Sequence, residues 1–222
     1  MMPSRFSEEM LQRIARSGVI AVLVIDDARH AVPLAKALLD GGIEVMELTL
    51  RTPAALEALC AIRAGVPGML AGVGTVLTAE QVRAVHEAGG AFAVAPGTNL
   101  TVLREAQRVG LPFGPGVATA SELETALEEG CREVKFFPAQ ACGGLSYLKN
   151  MAGPYAHLDV RYIPLGGLTL DSIPEYLAEP AVLALGGSWL APRAAVQAER
   201  WQEIRSAAAA AREAVDRVRK KR

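Results

Sequence analysis

Little in this sequence suits a disulfide scaffold, a thiolate metal site or a strongly charged partner. Only three cysteines occur in 222 residues, Cys60, Cys131 and Cys142. They are odd in number, widely spaced and form no CxxC pair, which argues against both a disulfide framework and a zinc-thiolate cluster and points to a reducing, cytoplasmic compartment. Net charge is nearly absent: 23 Lys and Arg against 24 Asp and Glu leave −1 at pH 7, so nothing asks for nucleic acid or an anionic membrane. The three histidines, His30, His86 and His157, stand at no ligand spacing, and no metal site is expected. No apolar run is long enough to span a bilayer, because the stretches 65–79 and 88–103 are cut by Gly and Pro. The first 18 residues carry charge throughout and no apolar core, so no secretory signal is expected there. The segment GVGTVL (72–77) lacks the third glycine of a dinucleotide fingerprint.

What is present is a hydrophobic content of 51%, enough for one large core, and a single domain over 1–222 is expected. Short β-branched or apolar runs alternate with amphipathic Ala/Leu/Glu-rich segments. The strand candidates are 18–25, 44–50, 69–74, 91–95, 111–116, 133–137, 160–165 and 181–186. Helix starts are signalled by Thr52-Pro53 and by capping boxes at Thr78/Gln81 and Thr119/Glu122. Gly41, Gly89, Gly110 and Gly130 stand where a left-handed residue closes a helix. An extra helix at 7–16 precedes the first strand, and a long Ala-rich helix from about 194 closes the pattern. Eight such units predict a (β/α)8 TIM barrel with an extra N-terminal helix; a doubly wound open sheet is the competing layout. The basic end 217–222 reads as a solvated helix terminus favoured by the macrodipole.

In such a barrel the site forms at the C-terminal strand ends. Alternation puts Val45, Glu47, Thr49 and Arg51 on one face of their strand and Met46, Leu48 and Leu50 on the other, and it groups Glu133, Lys135 and Phe137. The all-apolar set packs against helices, so Glu47 and Lys135 point into one small cavity with Arg51 above. Burial of a lysine favours the neutral amine that attacks a carbonyl, a nearby carboxylate can shuttle the protons, and an arginine can hold a carboxylate in a bidentate fork. A structural ion pair with a decorative arginine accounts equally for these three residues taken alone. The glycine pairs Gly166-Gly167 and Gly186-Gly187, followed by Ser188, offer unobstructed amides after the last two strands, where barrels bind phosphate, although glycine pairs also serve as ordinary turn punctuation.

Taken together, EVMELTLRT (44–52), GVGTVLT (72–78), APG (95–97), PG (115–116), VKFFPA (134–139) and GGSWL (186–190) resemble the 2-keto-3-deoxy-6-phosphogluconate (KDPG) aldolase / 4-hydroxy-2-oxoglutarate (KHG) aldolase family of class I aldolases, from about residue 8 to 215. The resemblance implies that Lys135 forms a Schiff base, Glu47 is the acid/base, Arg51 and Thr75 hold the pyruvate part, Pro96 and Phe137 line the pocket, and Gly166, Gly167, Gly186 and Ser188 form the phosphate end. It implies cleavage of KDPG to pyruvate and glyceraldehyde 3-phosphate in the Entner–Doudoroff pathway, activity on KHG, a homotrimer, and no metal or organic cofactor. One position departs. The family commonly carries threonine just before the strand-7 glycine pair, and here it is Leu165; the related enzyme acting on the galactonate epimer is similar in having an apolar residue there. Cleavage of that epimer is therefore an alternative, as are a sugar-phosphate isomerase or decarboxylase and a silent sugar-phosphate binder.

Overall fold

Ser7 opens the first helix, α1 (Glu8–Ser17), by accepting from the Met10 amide at 3.2 Å, and Gly18 ends it at φ 68. The structure, a computed structural model, describes residues 5–220. Residues 1–4 of the charged N-terminal stretch and Lys221 and Arg222 of the basic end lie outside that range.

Strands and helices then alternate: β1 (Val19–Leu23), α2 (Ala31–Asp40), β2 (Val45–Thr49), α3 (Ala55–Gly65), β3 (Leu70–Gly74), α4 (Ala79–Glu87), β4 (Ala93–Val94), α5 (Leu100–Val109) and β5 (Phe113–Gly114). After these come β6 (Gly116–Val117), α6 (Ala120–Glu128), β7 (Glu133–Phe136), α7 (Gly144–Ala152), β8 (Arg161–Pro164), α8 (Ile173–Ala178), β9 (Leu185–Gly187), α9 (Arg193–Gln197) and α10 (Trp201–Arg219). Every strand pair is parallel, with six strands in the order β5-β4-β3-β2-β1-β9 and three in the order β6-β7-β8. The fold is α/β with a curled parallel sheet.

Among the described residues the predicted eight strands are found as nine short ones. Pro115 has no amide hydrogen for the ladder, so the segment 111–116 divides into β5 and β6, while the Pro115 carbonyl still accepts from the Lys135 amide at 2.8 Å. The predicted strand 181–186 begins only at Leu185, and Val182 pairs upstream through a lone bridge to Tyr162.

Alternation sorts the side chains into two apolar layers. Met46, Leu48, Ala71, Val73, Val134 and Phe136 face the helices. Ile20, Val45, Leu70, Phe92, Ile163 and Leu165 fill the concave side, where Phe6, Leu11 and Ile14 join them from the α1 region. Phe6 and Phe92 meet at a ring separation of 6.1 Å, so α1 covers the end of the sheet opposite the strands' C-termini.

Both capping boxes form, with Thr78 and Gln81 exchanging contacts of 3.2 Å and the Thr119 amide donating to Glu122 at 2.9 Å. Thr52 does not start α3. Its hydroxyl donates to the Ile25 carbonyl instead, tying the ends of β1 and β2, and the helix begins at Ala55. Gly89, Gly110 and Gly130 are left-handed, at φ 73, 76 and 80, whereas Gly41 is right-handed at φ −81. Gly41 is needed for space, since a Cβ there would lie 2.4 Å from Ala208 Cβ, and Gly42 takes the positive φ. The expected helix from 194 is two: Glu199, at φ 53, turns the chain between α9 and α10, where Glu199 lies 3.4 Å from His30 and Trp201 packs edge-on against the same ring. Arg219, in the basic end, donates to the Arg16 carbonyl.

Glu105 on α5 joins Arg83 on α4 and Arg108, each at 2.8 Å. The Arg108 hydrogen bond, then that of Arg83, holds the Glu105 carboxyl down at about 2. A depressed carboxylate contributes stability above its unfolded value and loses it as pH falls toward the folded one. Glu105→Gln is therefore expected to lower the melting temperature slightly at pH 7, with the difference from the parent shrinking between about pH 4.5 and pH 2. A constant difference across that range in thermal melts would rule this out.

Candidate active site

Lys135 sits inward on β7 and Glu47 inward on β2, 88 residues apart in sequence, and Lys135 Nζ donates to Glu47 Oε1 at 2.9 Å. Their side chains are 8% and 3% exposed. The Lys135 Nζ also lies 5.4 Å from the centre of the Phe137 ring, within cation–π range. Two charges withdrawn from water this far cost several kcal/mol each before their attraction offsets it. An apolar pair of the same size serves stability as well, so stability alone does not explain this one.

Around the pair lies a cavity of about 210 Å³ at the C-terminal strand ends. It gathers all twelve residues expected from the sequence: Glu47, Arg51, Thr75, Pro96, Lys135, Phe137, Leu165, Gly166, Gly167, Gly186, Gly187 and Ser188. Exposure rises outward, from buried Glu47, Lys135, Leu165 and Gly186 to exposed Arg51, Pro96, Gly167 and Ser188. Four further residues line it that the sequence reading did not assign: Val22, Val24, Thr49 and Leu168. Strand parity could have found the first three, since Val22 and Val24 continue the inward face of Ile20, and Thr49 lies between Glu47 and Arg51. Thr49 donates its hydroxyl to the Leu23 carbonyl at 2.9 Å, which fixes β2 against β1. Larger cavities of about 460 and 660 Å³ lie among the helices, one beside α7 and the other between α8 and α10. Neither holds a residue of this set, and the buried amine–carboxylate pair rather than volume marks the site.

Backbone geometry shapes the rim. Thr75 is left-handed at φ 61, an unusual conformation for a β-branched residue that costs about 1–3 kcal/mol and is typical of functional sites. Gly166 and Gly167 are left-handed at φ 101 and 77. Gly187 has another reason to be glycine, because a Cβ there would stand 1.4 Å from the Trp189 ring. The Gly166 amide faces the Gly186 carbonyl across the parallel bridge between Leu165 and Gly186, whereas no described residue accepts from the amides of Gly167 or Ser188, so these two donors are free for an anion at the cavity end. The loops after β1 and β9 are clamped beside it: Arg193 and Gln197 each donate to Asp26 Oδ2 at 2.8 Å, and the Arg193 hydrogen bond holds the Asp26 carboxyl below its ordinary value. Among the described residues no group of three His, Cys, Asp or Glu side chains could hold a metal ion, and no helix is long and apolar enough to cross a membrane.

A lysine amine in contact with a carboxylate, both reached from an open rim of amide donors and one arginine, is the equipment of Schiff-base chemistry on a carbonyl substrate; the protein is a carbon–carbon lyase of the aldolase class. Its membership is narrower than that. The chain belongs to the KDPG and KHG aldolase family, whose family model matches residues 10–207. A 2-dehydro-3-deoxy-phosphogluconate aldolase of Treponema pallidum is 43% identical over 195 residues, 88% of this chain and 92% of that protein. The solved KDPG aldolase of Legionella pneumophila, with pyruvate captured at low pH as a covalent carbinolamine intermediate, is 41% identical with a TM-score of 0.86, covering 90% of this chain and 97% of that one. A native KDPGal structure is similar at 29% identity and TM-score 0.79, covering 91% and 96%.

Proposed function

We propose that the protein cleaves KDPG to pyruvate and glyceraldehyde 3-phosphate through a Schiff base on Lys135. The observation that carries this reading is the 2.9 Å contact between the buried Lys135 amine and Glu47 within one cavity. Arg51 holds the substrate carboxylate, with Thr75 beside it, and Pro96 and Phe137 wall the C2 carbonyl. Lys135 passes a proton to Glu47 and its free amine attacks C2; the proton left on nitrogen moves to the former carbonyl oxygen to give a neutral carbinolamine, and the protonated Glu47 then protonates the departing hydroxyl, so that water leaves as the iminium forms. Glu47, now a carboxylate, takes the proton from the C4 hydroxyl as the C3–C4 bond breaks, its electron pair passing into the iminium to leave an enamine and free the aldehyde. The same carboxyl returns the proton to C3, and water hydrolyses the imine to pyruvate and the amine. The end formed by Gly166, Gly167, Gly186, Gly187 and Ser188 receives the phosphate, with the Gly167 and Ser188 amides as its donors. KHG fits the same scheme as a shorter substrate.

The experiment is reduction with borohydride in the presence of pyruvate, followed by peptide mass analysis. The expected result is a single adduct on the peptide containing Lys135; an enzyme that releases pyruvate from KDPG without any trapped adduct would falsify the Schiff-base route.

The same reading treats the two sheets as one closed (β/α)8 barrel and one domain over 1–222. Its supports are the continuity of β5 and β6 through Pro115 and the bridges Tyr162–Val182 and Leu165–Gly186 between β8 and the chain leading into β9. A cytoplasmic homotrimer in the Entner–Doudoroff pathway follows from the family resemblance, and sedimentation checks the trimer. A second reading, cleavage of the galactonate epimer, is favoured by Leu165, which is 4% exposed and presents no hydroxyl to the substrate. One hydrogen-bonding group is worth about 1–3 kcal/mol of discrimination, or about 5- to 150-fold. Leu165→Thr is expected to shift the ratio of kcat/KM for the two epimers by a factor in that range, and an unmoved ratio removes this residue from specificity.

A further inference from the structure

The inward positions of β3 are Leu70, Gly72 and Gly74, so its upper half presents no side chain to the concave side. Glycine inside a strand marks a close approach. At Gly72 the approaching group is the Phe92 ring, 2.3 Å from where a Cβ would stand. At Gly74 it is the side chain of Glu47: a Cβ there would lie 1.8 Å from Oε1, 2.5 Å from Cδ and 2.8 Å from Cγ. The oxygen most crowded is the one that accepts from Lys135 Nζ.

We propose that Gly74 is a positioning residue of the lyase reaction, its bare Cα providing the seat in which the Glu47 carboxylate rests against Lys135. The proposal builds on the assignment of Glu47 as proton carrier. Gly74 cannot retreat from an added methyl, because it is in ladder register with Thr49 and its carbonyl accepts from the Leu50 amide at 2.9 Å. The carboxylate must move instead. Reaching ordinary contact distance takes it roughly 2 Å away, enough to break the contact with Nζ, while Arg51 and the glycine amides of the rim stay in place. Glu47 thus owes its position to the absence of a side chain on the neighbouring strand as well as to its own place on β2.

The test is a double-mutant cycle of Gly74→Ala and Glu47→Ala, read by KDPG turnover, by exchange of pyruvate methyl protons in deuterium oxide, and by melting temperature. Misplacing a catalytic group by an ångström costs on the order of 100-fold. Gly74→Ala alone is expected to lower kcat and methyl exchange by about that factor with KM changed by less than about threefold. In the Glu47→Ala background, where the methyl has room, the same substitution is expected to change kcat by less than about twofold. Equal losses in both backgrounds, or a Gly74→Ala enzyme with near-parental kcat, overturn the proposal. Full turnover by Glu47→Ala alone overturns the assignment of Glu47 itself, a result separate from additive losses. Should Gly74→Ala fail to fold, the double variant decides: melting with Glu47→Ala supports the seat, and failure to fold as well overturns it.

Discussion

Lys135→Ala is expected to lower KDPG cleavage by about 10⁴-fold or more and to abolish the borohydride-trapped pyruvate adduct, since no other described lysine lines the cavity. The same substitution is expected to destabilise the fold. It leaves the Glu47 carboxylate buried without its cation, and breaking a buried pair from one side costs about 3–5 kcal/mol. Denaturant unfolding measures that loss. Lys135→Met combined with Glu47→Gln removes both charges and should recover most of the stability while recovering no activity. This combination separates the two explanations of the pair. If the buried contact served only the fold, the neutral double variant would be active; if it serves chemistry, stability returns and turnover does not.

Glu47→Gln carries the second large effect. Glutamine matches the shape and can still accept from the Lys135 amine, but it cannot carry a proton through the cycle. General acid–base work of this kind is worth about 10²–10⁴-fold. A fall in kcat of that size is expected, with KM for KDPG within a few-fold, because Arg51 and the rim amides are untouched. Methyl-proton exchange on pyruvate should fall in parallel, while prolonged reduction with borohydride still captures the adduct on Lys135. Exchange at the parental rate would assign the proton transfer to another group.

Much of this site was legible because strand parity is rigid. A period of two placed Glu47, Thr49 and Arg51 on one face and Lys135 with Phe137 on another, and the apolar alternates Met46, Leu48, Val134 and Phe136 identified the helix side without any structure. The capping boxes were legible for a similar reason, being local hydrogen-bond patterns. What sequence could not supply was set by distant partners. Gly41 looks like a helix terminator, yet its role depends on Ala208 packing against it. The Ala-rich stretch after residue 193 shows no glycine or proline, and its break at Glu199 occurs beside His30 and Trp201. Thr52 has the look of a cap, but a carbonyl from β1 claims its hydroxyl. Leu168 joins the cavity with no pattern to announce it, and the crowding of Gly74 by Glu47 became visible only when β2 and β3 were seen side by side.

The wall of the cavity divides by chemistry. Glu47, Thr49, Arg51 and Thr75 come from β2, the residues after it and the end of β3, whereas Val22 and Val24 come from β1 and the residue after it and Leu165 and Leu168 from the loop that follows β8. For protein engineers this division is a map of where variation is permitted. A saturation library confined to those four aliphatic positions is expected to change which aldehydes are accepted in the synthetic direction, while the strands that carry Lys135 and Glu47 are left alone.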